Sequence, residues 1–338
     1  MARTIPGPFL LKSIGKNVFL GRKTIDMQIR KLGSVILPGS IVVLVVILLS
    51  LSKSTYKGPD VVYRESDHTY RPVAIPDTLN FAGLTVPVNR FDIRECLDRE
   101  LLVNSYFHSQ TIRFIKLAPR YFPVIEPILK ENGIPDDFKY LAVAESNMDP
   151  KAISPAGAIG FWQFMRGTAI EYGLEVNGEV DERYHVEKST RAACKYLLKS
   201  YKKYGNWLLV AASYNSGNGH VETQMNRQKR KSYFDLLLGE ETNRYVYRII
   251  ALKMVLEHPE KYGFKVDASE KYPLIETKLV EIPGPVPSLP DFAGSYGLSY
   301  KMLKIFNPWL RDIKLTNPNR KKYLVKLPVD INSVKPVE

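Results

Sequence analysis

The residues best suited to chemistry in this 338-residue chain lie in the stretch 135–168, PDDFKYLAVAESNMDPKAISPAGAIGFWQFMRGT. Pro135 suits a helix entry, Asp136 or Asp137 can cap the first turn, and Phe138, Leu141, Ala142 and Glu145 fall at helical spacing. A carboxylate therefore sits on the apolar face. Ser146, Asn147 and the turn signal Asp149-Pro150 should end the helix just after it. A helix C-terminus and apolar neighbours both disfavour a negative charge, so Glu145 is expected to have a raised pKa and to donate a proton near neutral pH. Gly157 and Gly160 permit close backbone approach. Phe161, Trp162, Gln163, Phe164 and Met165 then offer rings, an amide and a thioether as a cleft wall. Taken alone, Glu145 is better read as an ordinary capped or exposed carboxylate. The downstream segments 211–217 (AASYNSG) and 241–246 (ETNRYV), each rich in polar and aromatic groups, shift that balance.

The elements that must position these residues are helical. Apolar periodicity marks helices at about 92–105, 107–118, 120–132, 136–146, 163–172, 187–204, 206–214, 217–228 and 241–257, joined by short loops, which is the pattern of an all-α domain over 92–263. Beyond Tyr262 the pattern changes. Residues 276–282 alternate like a strand, two short helices follow at 288–296 and 299–306, and 322–327 reads as a second strand, so 264–338 is expected to be a small βααβ module. Residues 53–91, rich in Pro, Asp, Thr and Tyr, read as a linker with a little extended structure. The fold class is thus mainly α, with a small mixed appendage.

Residues 32–52 are 21 uncharged, mostly apolar positions between Lys31 and Lys53, enough for a helix to span a bilayer core of about 30 Å. The preceding tail, 1–31, holds seven basic residues and one acidic residue, for +6. That asymmetry predicts a single-pass signal anchor with a cytoplasmic N-terminus and everything after Lys53 outside. A cleaved signal peptide fits less well, because the tail is long and no small-x-small cleavage site follows the apolar run.

The net charge of +13 invites a nucleic-acid reading, but after Lys53 there are 40 basic and 34 acidic residues, only +6. With no basic arm or recognised module, nucleic acid is excluded as a partner, and a mildly positive surface suits an anionic polymer or a membrane. Cys96 and Cys194 make no disulfide framework, and the five histidines stand singly without metal-ligand spacing, so neither a metal nor an organic cofactor is implied.

In order, Glu145-Ser146, 157–165, 211–217 and 241–246 resemble the four signature segments of the soluble lytic transglycosylase fold. The intervening stretch 173–209 resembles the membrane-bound lytic murein transglycosylase D type, and the likeness runs from about 120 to 263. It implies a lysozyme-like α domain with a cleft between helices, acting on peptidoglycan at the β-1,4 bond between N-acetylmuramic acid and N-acetylglucosamine. Glu145 matches the catalytic acid/base and Ser146 the residue paired with it. Gly160, Gln163, Phe164 and Met165 match the segment lining the sugar sites, with rings stacking on pyranose faces, and Tyr214 and Asn215 match the Ala-Tyr-Asn segment. Tyr245 matches the tyrosine whose hydroxyl lies near the catalytic carboxyl. The chain departs from the pattern at Met165 to Thr168, where Arg166-Gly167 replaces Pro-x, and in using a signal anchor where D-type enzymes are lipid-anchored.

The order Leu289, Ala293, Tyr296-Gly297, Leu303, Asn307-Pro308 resembles a lysin motif. Residues 283–287 (PGPVP) replace its usual Gly-Asp-Thr-Leu turn, which leaves glycan binding and a packing appendage both open. The expectation is therefore a lytic transglycosylase anchored in a bacterial inner membrane through 32–52 and facing the periplasm, its partner the glycan strands. A goose-type-lysozyme-like hydrolase and a non-catalytic wall-binding tether are the alternatives. Most glycosidases use two carboxylates, and here Asp149, Asp181, Glu182 and Glu241, the candidates for the second, each have a structural explanation in a turn, a polar loop or a helix start.

Overall fold

The structure, a computed structural model, describes residues 72–332. The tail, the apolar run 32–52 and most of the expected linker lie outside the described residues. Among the described residues, no helix is long and apolar enough to cross a membrane.

The chain enters through a short antiparallel hairpin, β1 (Leu79–Phe81) and β2 (Leu84–Val86), within the stretch expected to be linker. Its side chains correct that expectation. Phe81, Val86 and Val88 are buried in the main core, so the helical domain takes in residues before 92. The turn residues Ala82 and Gly83 both have positive φ, +51° and +79°, as a two-residue hairpin turn requires. Alanine is a poor residue for that conformation. It is held there by the Asp137 carboxylate, which accepts from the Ala82 amide at 2.6 Å.

Eight helices follow: α1 (Phe91–Tyr106), α2 (His108–Glu131), α3 (Phe138–Ser146), α4 (Arg166–Glu171), α5 (Val186–Tyr204), α6 (Trp207–Ser216), α7 (Asn218–Gln228) and α8 (Glu240–Glu257). Their positions agree with the periodicity within a few residues, with one merger. The two helices expected at 107–118 and 120–132 are the single α2, although Pro119, Pro123 and Pro127 lie inside it. The four-residue spacing puts the missing amides on one stripe of the helix. Pro123 and Pro127 are exposed and Pro119 half-exposed, so the proline stripe faces outward and water can serve the freed carbonyls at 119 and 123.

The site depends on α3, α6 and α8. Helix α3 is apolar nearly all round, with Phe138, Leu141, Ala142 and Val143 inaccessible, and α6 is likewise buried from Trp207 to Ser213. Such helices are stable only when enclosed. The long helix α8 packs against α1, α3 and α6, while α5 packs against α2 and α6. Asn206 caps α6, its Oδ1 accepting from the Leu208 and Leu209 amides at 2.9 and 3.2 Å. The expected Asp cap of α3 is absent. Asp136 pairs with Lys139 and Asp137 with Lys253 as well as Ala82, so both carboxylates are engaged elsewhere and the helix starts at Phe138. Asn147, left-handed at φ +53°, stops α3 one residue after Ser146.

The C-terminal module has the expected βααβ order: β3 (Thr277–Ile282), α9 (Leu289–Ser295), α10 (Tyr300–Phe306) and β4 (Tyr323–Pro328). The strands are antiparallel, in register from Thr277 opposite Pro328 to Ile282 opposite Tyr323. Ser288 and Ser299 cap the two helices. Buried Asn307 donates to the Leu303 and Lys326 carbonyls and accepts from the Lys326 amide, tying the end of α10 to β4. The module's core of Leu289, Leu303, Leu310, Val325 and Leu327 also contains Val180 and Tyr184 of the preceding domain.

Candidate active site

Glu145 stands in the last turn of α3, half-buried, and faces α8. On α8 the positions 241, 245 and 248 lie at helical spacing on one face. The middle one supplies the contact: the Tyr245 hydroxyl donates a short hydrogen bond to Glu145 Oε1. Burial pushes the carboxyl up to about 7. The Tyr245 hydrogen bond and the Arg248 charge pull it down, and the Glu241 charge adds to the rise. The sequence pointed to the helix dipole and apolar setting; the dominant cause is burial. Burial first, and the Glu145 charge second, hold the Tyr245 phenol well above its ordinary range, so it is a donor throughout the neutral region.

Tyr214, half-buried near the C-terminus of α6, feels the charge of Glu145; burial first, and that charge second, raise its phenol as well. Its hydroxyl is directed elsewhere and donates to the Trp162 carbonyl at 2.7 Å. Asn215 is tied to α8, its Oδ1 accepting from Thr242 Oγ1 at 2.9 Å. Tyr214 and Asn215 thereby link α6 to the segment 157–165 and to α8, around the end of α3.

The segment 157–165 departs from its expected role. Phe161 and Trp162 are inaccessible and Phe164 is 3% exposed, so these rings are pillars of the core and offer no face to a pyranose. Trp162 Nε1 donates to Thr190 Oγ1 at 2.8 Å. Only Met165, 46% exposed, presents its side chain outward. Gln163, left-handed at φ +48°, turns its amide inward to the Gly160 and Ala152 carbonyls at 2.9 and 3.2 Å. Gly160, at φ +83°, lies against the next segment, and a Cβ there would meet the Arg183 carbonyl oxygen at 1.9 Å. Ser146 is buried and its hydroxyl donates back to the Ala142 carbonyl at 2.9 Å, so it is not presented beside Glu145.

Two residues important to the site were not singled out in the sequence. Arg183 is buried in a bidentate pair with Asp181 and also donates to the carbonyls of Gly157 and Phe164, at 3.4 and 3.3 Å. Arg248 carries its charge near Glu145 while its Nε lies 3.7 Å from buried Glu100. Its spacing of three from Tyr245 was the available signal for Arg248; Arg183, in a polar loop, had none.

The other carboxylates considered are engaged or exposed. Asp149 accepts from the Lys151 amide at 2.8 Å, Asp181 is paired with Arg183, and Glu182 is buried with Lys188 and the Glu175 amide. Glu241 is exposed one turn before Tyr245. Among the described residues there is no cluster of His, Cys, Asp and Glu able to hold a metal ion.

Comparison with known proteins identifies relatives for both parts of the chain. Residues 122–237 match the Transglycosylase SLT domain family, and residues 278–330 the Soluble lytic transglycosylase C-terminal LysM-like domain family. The first match ends before α8, so Tyr245 lies outside it. Over 220 residues the chain is 33% identical to membrane-bound lytic murein transglycosylase D of Escherichia coli, a match that covers 64% of this chain and 47% of that one. It is 28% identical over 186 residues to membrane-bound lytic murein transglycosylase F of Desulfosudis oleivorans, covering 48% of this chain and 38% of that one. The chain thus spans about half the length of its D-type relative or less. Among solved structures, the 70 kDa soluble lytic transglycosylase of Escherichia coli matches at 24% identity with a TM-score of 0.37, covering 46% of this chain and 27% of that one.

Proposed function

For a chain that carries a transglycosylase SLT domain followed by a LysM-like domain, we propose a peptidoglycan lytic transglycosylase in which Glu145 is the single acid and base. The observation that carries the reading is the Glu145 carboxyl, pushed up to about 7 by burial and receiving the Tyr245 hydroxyl. A carboxyl poised there is partly protonated at neutral pH and, once ionised, is basic enough to take a proton back.

The reaction needs both states. Protonated Glu145 gives its proton to the glycosidic oxygen as the bond from muramic acid C1 to that oxygen breaks, with the substrate's own N-acetyl group stabilising the cationic centre. The resulting carboxylate, held by the Tyr245 hydroxyl, then removes the proton from the C6 hydroxyl as that oxygen closes onto C1. The product ends in a 1,6-anhydro sugar, and no water is consumed. Tyr214 and Asn215 keep α6, α8 and the 157–165 segment in register around the carboxyl. Met165 is the member of that segment with a side chain free to touch glycan. The signal-anchor reading of 32–52 adds that the enzyme is held in the bacterial inner membrane with its catalytic part in the periplasm.

One observation favours a second reading. The Glu241 charge acts on Glu145, so Glu241 is the available partner carboxylate for a goose-type-lysozyme-like hydrolase. A silent wall-binding tether is disfavoured, because binding alone has no use for a carboxyl raised toward neutrality beside a tyrosine donor. Digestion of purified sacculi by variants separates these readings. Glu145→Gln is expected to lose turnover by at least about a thousandfold while still binding sacculi, and Glu241→Gln to keep it within about tenfold. Loss in both variants would favour the hydrolase, and turnover retained in Glu145→Gln would overturn the assignment.

A further inference from the structure

The C-terminal module does not hang free of the helical domain. Its core includes Val180 and Tyr184, and Ile159, from the site segment itself, packs against it. The Trp309 carbonyl accepts from the Asp181 amide at 2.9 Å, and the Arg311 amide donates to the Glu179 carbonyl at 2.7 Å. Val180 and Leu310 form a β-bridge. Ion pairs close the rim: Lys321 with Glu175 at 2.5 Å, and Lys326 with Glu187. The residues so held, 175–187, include Arg183, whose side chain reaches the Gly157 and Phe164 carbonyls and whose backbone carbonyl blocks a side chain at Gly160.

We propose that the C-terminal module is a brace for the candidate active site and that Arg183 is the positioning residue through which it acts. The path is continuous. The module fixes Asp181 through the Trp309 carbonyl, and Asp181 orients the Arg183 guanidinium. Arg183 sets both ends of 157–164, and the Trp162 carbonyl within that segment receives the hydroxyl of Tyr214, the neighbour of Glu145. A planar, forked donor suits this task because it can hold a carboxylate and two carbonyls at once. The module's role in catalysis is therefore mechanical, whatever it binds.

Hydrogen exchange on the full chain tests the brace without reference to activity. The amides of Ile159, Gln163 and Phe164 are bonded within 157–164, and that of Gly160 to the Ala152 carbonyl, so all four report on the segment. Leu310→Asp buries a carboxylate in the shared core. The double variant Asp181→Leu/Arg183→Met removes the Arg183 fork while leaving no charge unpaired, so the domain stays folded. Both should raise exchange in 157–164 by at least about tenfold with α1 and α8 unchanged. Should Leu310→Asp unfold the chain throughout, the double variant decides. Unchanged protection of 157–164 in a folded variant would overturn the brace. A second readout rests on the proposed transglycosylase activity: the double variant should lose at least about tenfold in kcat with KM within about threefold. An inactive wild-type protein would sink that activity, and the exchange result would still judge the brace.

Discussion

The proposed chemistry rests on one buried carboxyl, Glu145, beside one phenol, Tyr245. In the proposed mechanism Glu145, with its ordinary value of 4.5 raised to about 7, must be protonated to start the reaction, so cleavage should fall as pH rises through about 7. The neighbours give that limb a sign. Arg248→Met removes a cation that favours the carboxylate, and the limb should move to higher pH; Glu241→Gln removes a like charge, and it should move lower. A pH-rate profile on sacculi checks both. The same shift bears on stability. Because the folded value lies above the unfolded one, the contribution of Glu145 is fully present below about 4.5 and lost as pH rises through about 7. Glu145→Gln should therefore raise stability at pH 8, by up to about 3 kcal/mol before the changed bond to Tyr245 is counted, with the difference fading below about pH 4.5. Thermal melts at the two pH values test this. Tyr245→Phe removes one hydrogen bond to a charged group, roughly 1 to 3 kcal/mol, and should slow kcat by about ten- to a hundredfold without abolishing it. Helical spacing singles out Glu145, whereas Tyr214 and Tyr245 are reached only through the resemblance to lytic transglycosylases; the structure brings Tyr245 onto Glu145. The inward turns of Ser146 and Gln163, and the burial of Phe164, were not legible in the sequence, since a short motif names residues without stating which way they face.

The helices were legible because their apolar spacing is regular, and the merged helix α2 shows where that reasoning stops. Pro119 looks like a break, yet the three prolines share one outward stripe and the helix continues through them. The hairpin was hidden for a related reason. Ala82-Gly83 lacks the Asn-Gly signal of a tight turn, and its conformation is enforced by Asp137, 55 residues away. The loop carrying Gly160 has the strictest requirement. Gly160→Ala combines a left-handed backbone with a Cβ 1.9 Å from a carbonyl oxygen, so Arg183 and the loop must move. We expect a loss of about 2 to 4 kcal/mol in denaturant unfolding together with loss of sacculus cleavage, whereas Gly157→Ala, which meets no atom within 4 Å, should lose only what its own positive φ costs, about 1 to 2 kcal/mol.

Across the whole molecule, sequence pattern revealed a helical domain and a βααβ module but not their shared core, because Val180 and Tyr184 read as loop residues until the module covers them. The rim of that interface has a defined pH response. Burial alone would raise Glu187, but the His185 hydrogen bond and the Lys326 charge lower it to about 2. Its contribution is thus present above about 4.5 and lost as pH falls through about 2. Exchange at 307–316 should accordingly increase between those pH values before α3 and α8 open. For the proposed topology, a reporter active only in the periplasm should work when fused after Glu338 and stay silent at the N-terminus, and the opposite pattern would overturn both the anchor and the access to peptidoglycan. The central claim, that one carboxyl serves as acid and base with the substrate's own C6 oxygen as nucleophile, is tested most directly by digesting sacculi with the full chain in oxygen-18 water and weighing the products. Fragments ending in unlabelled 1,6-anhydromuramic acid are the predicted result, and reducing ends carrying oxygen-18 acquired during cleavage would contradict it.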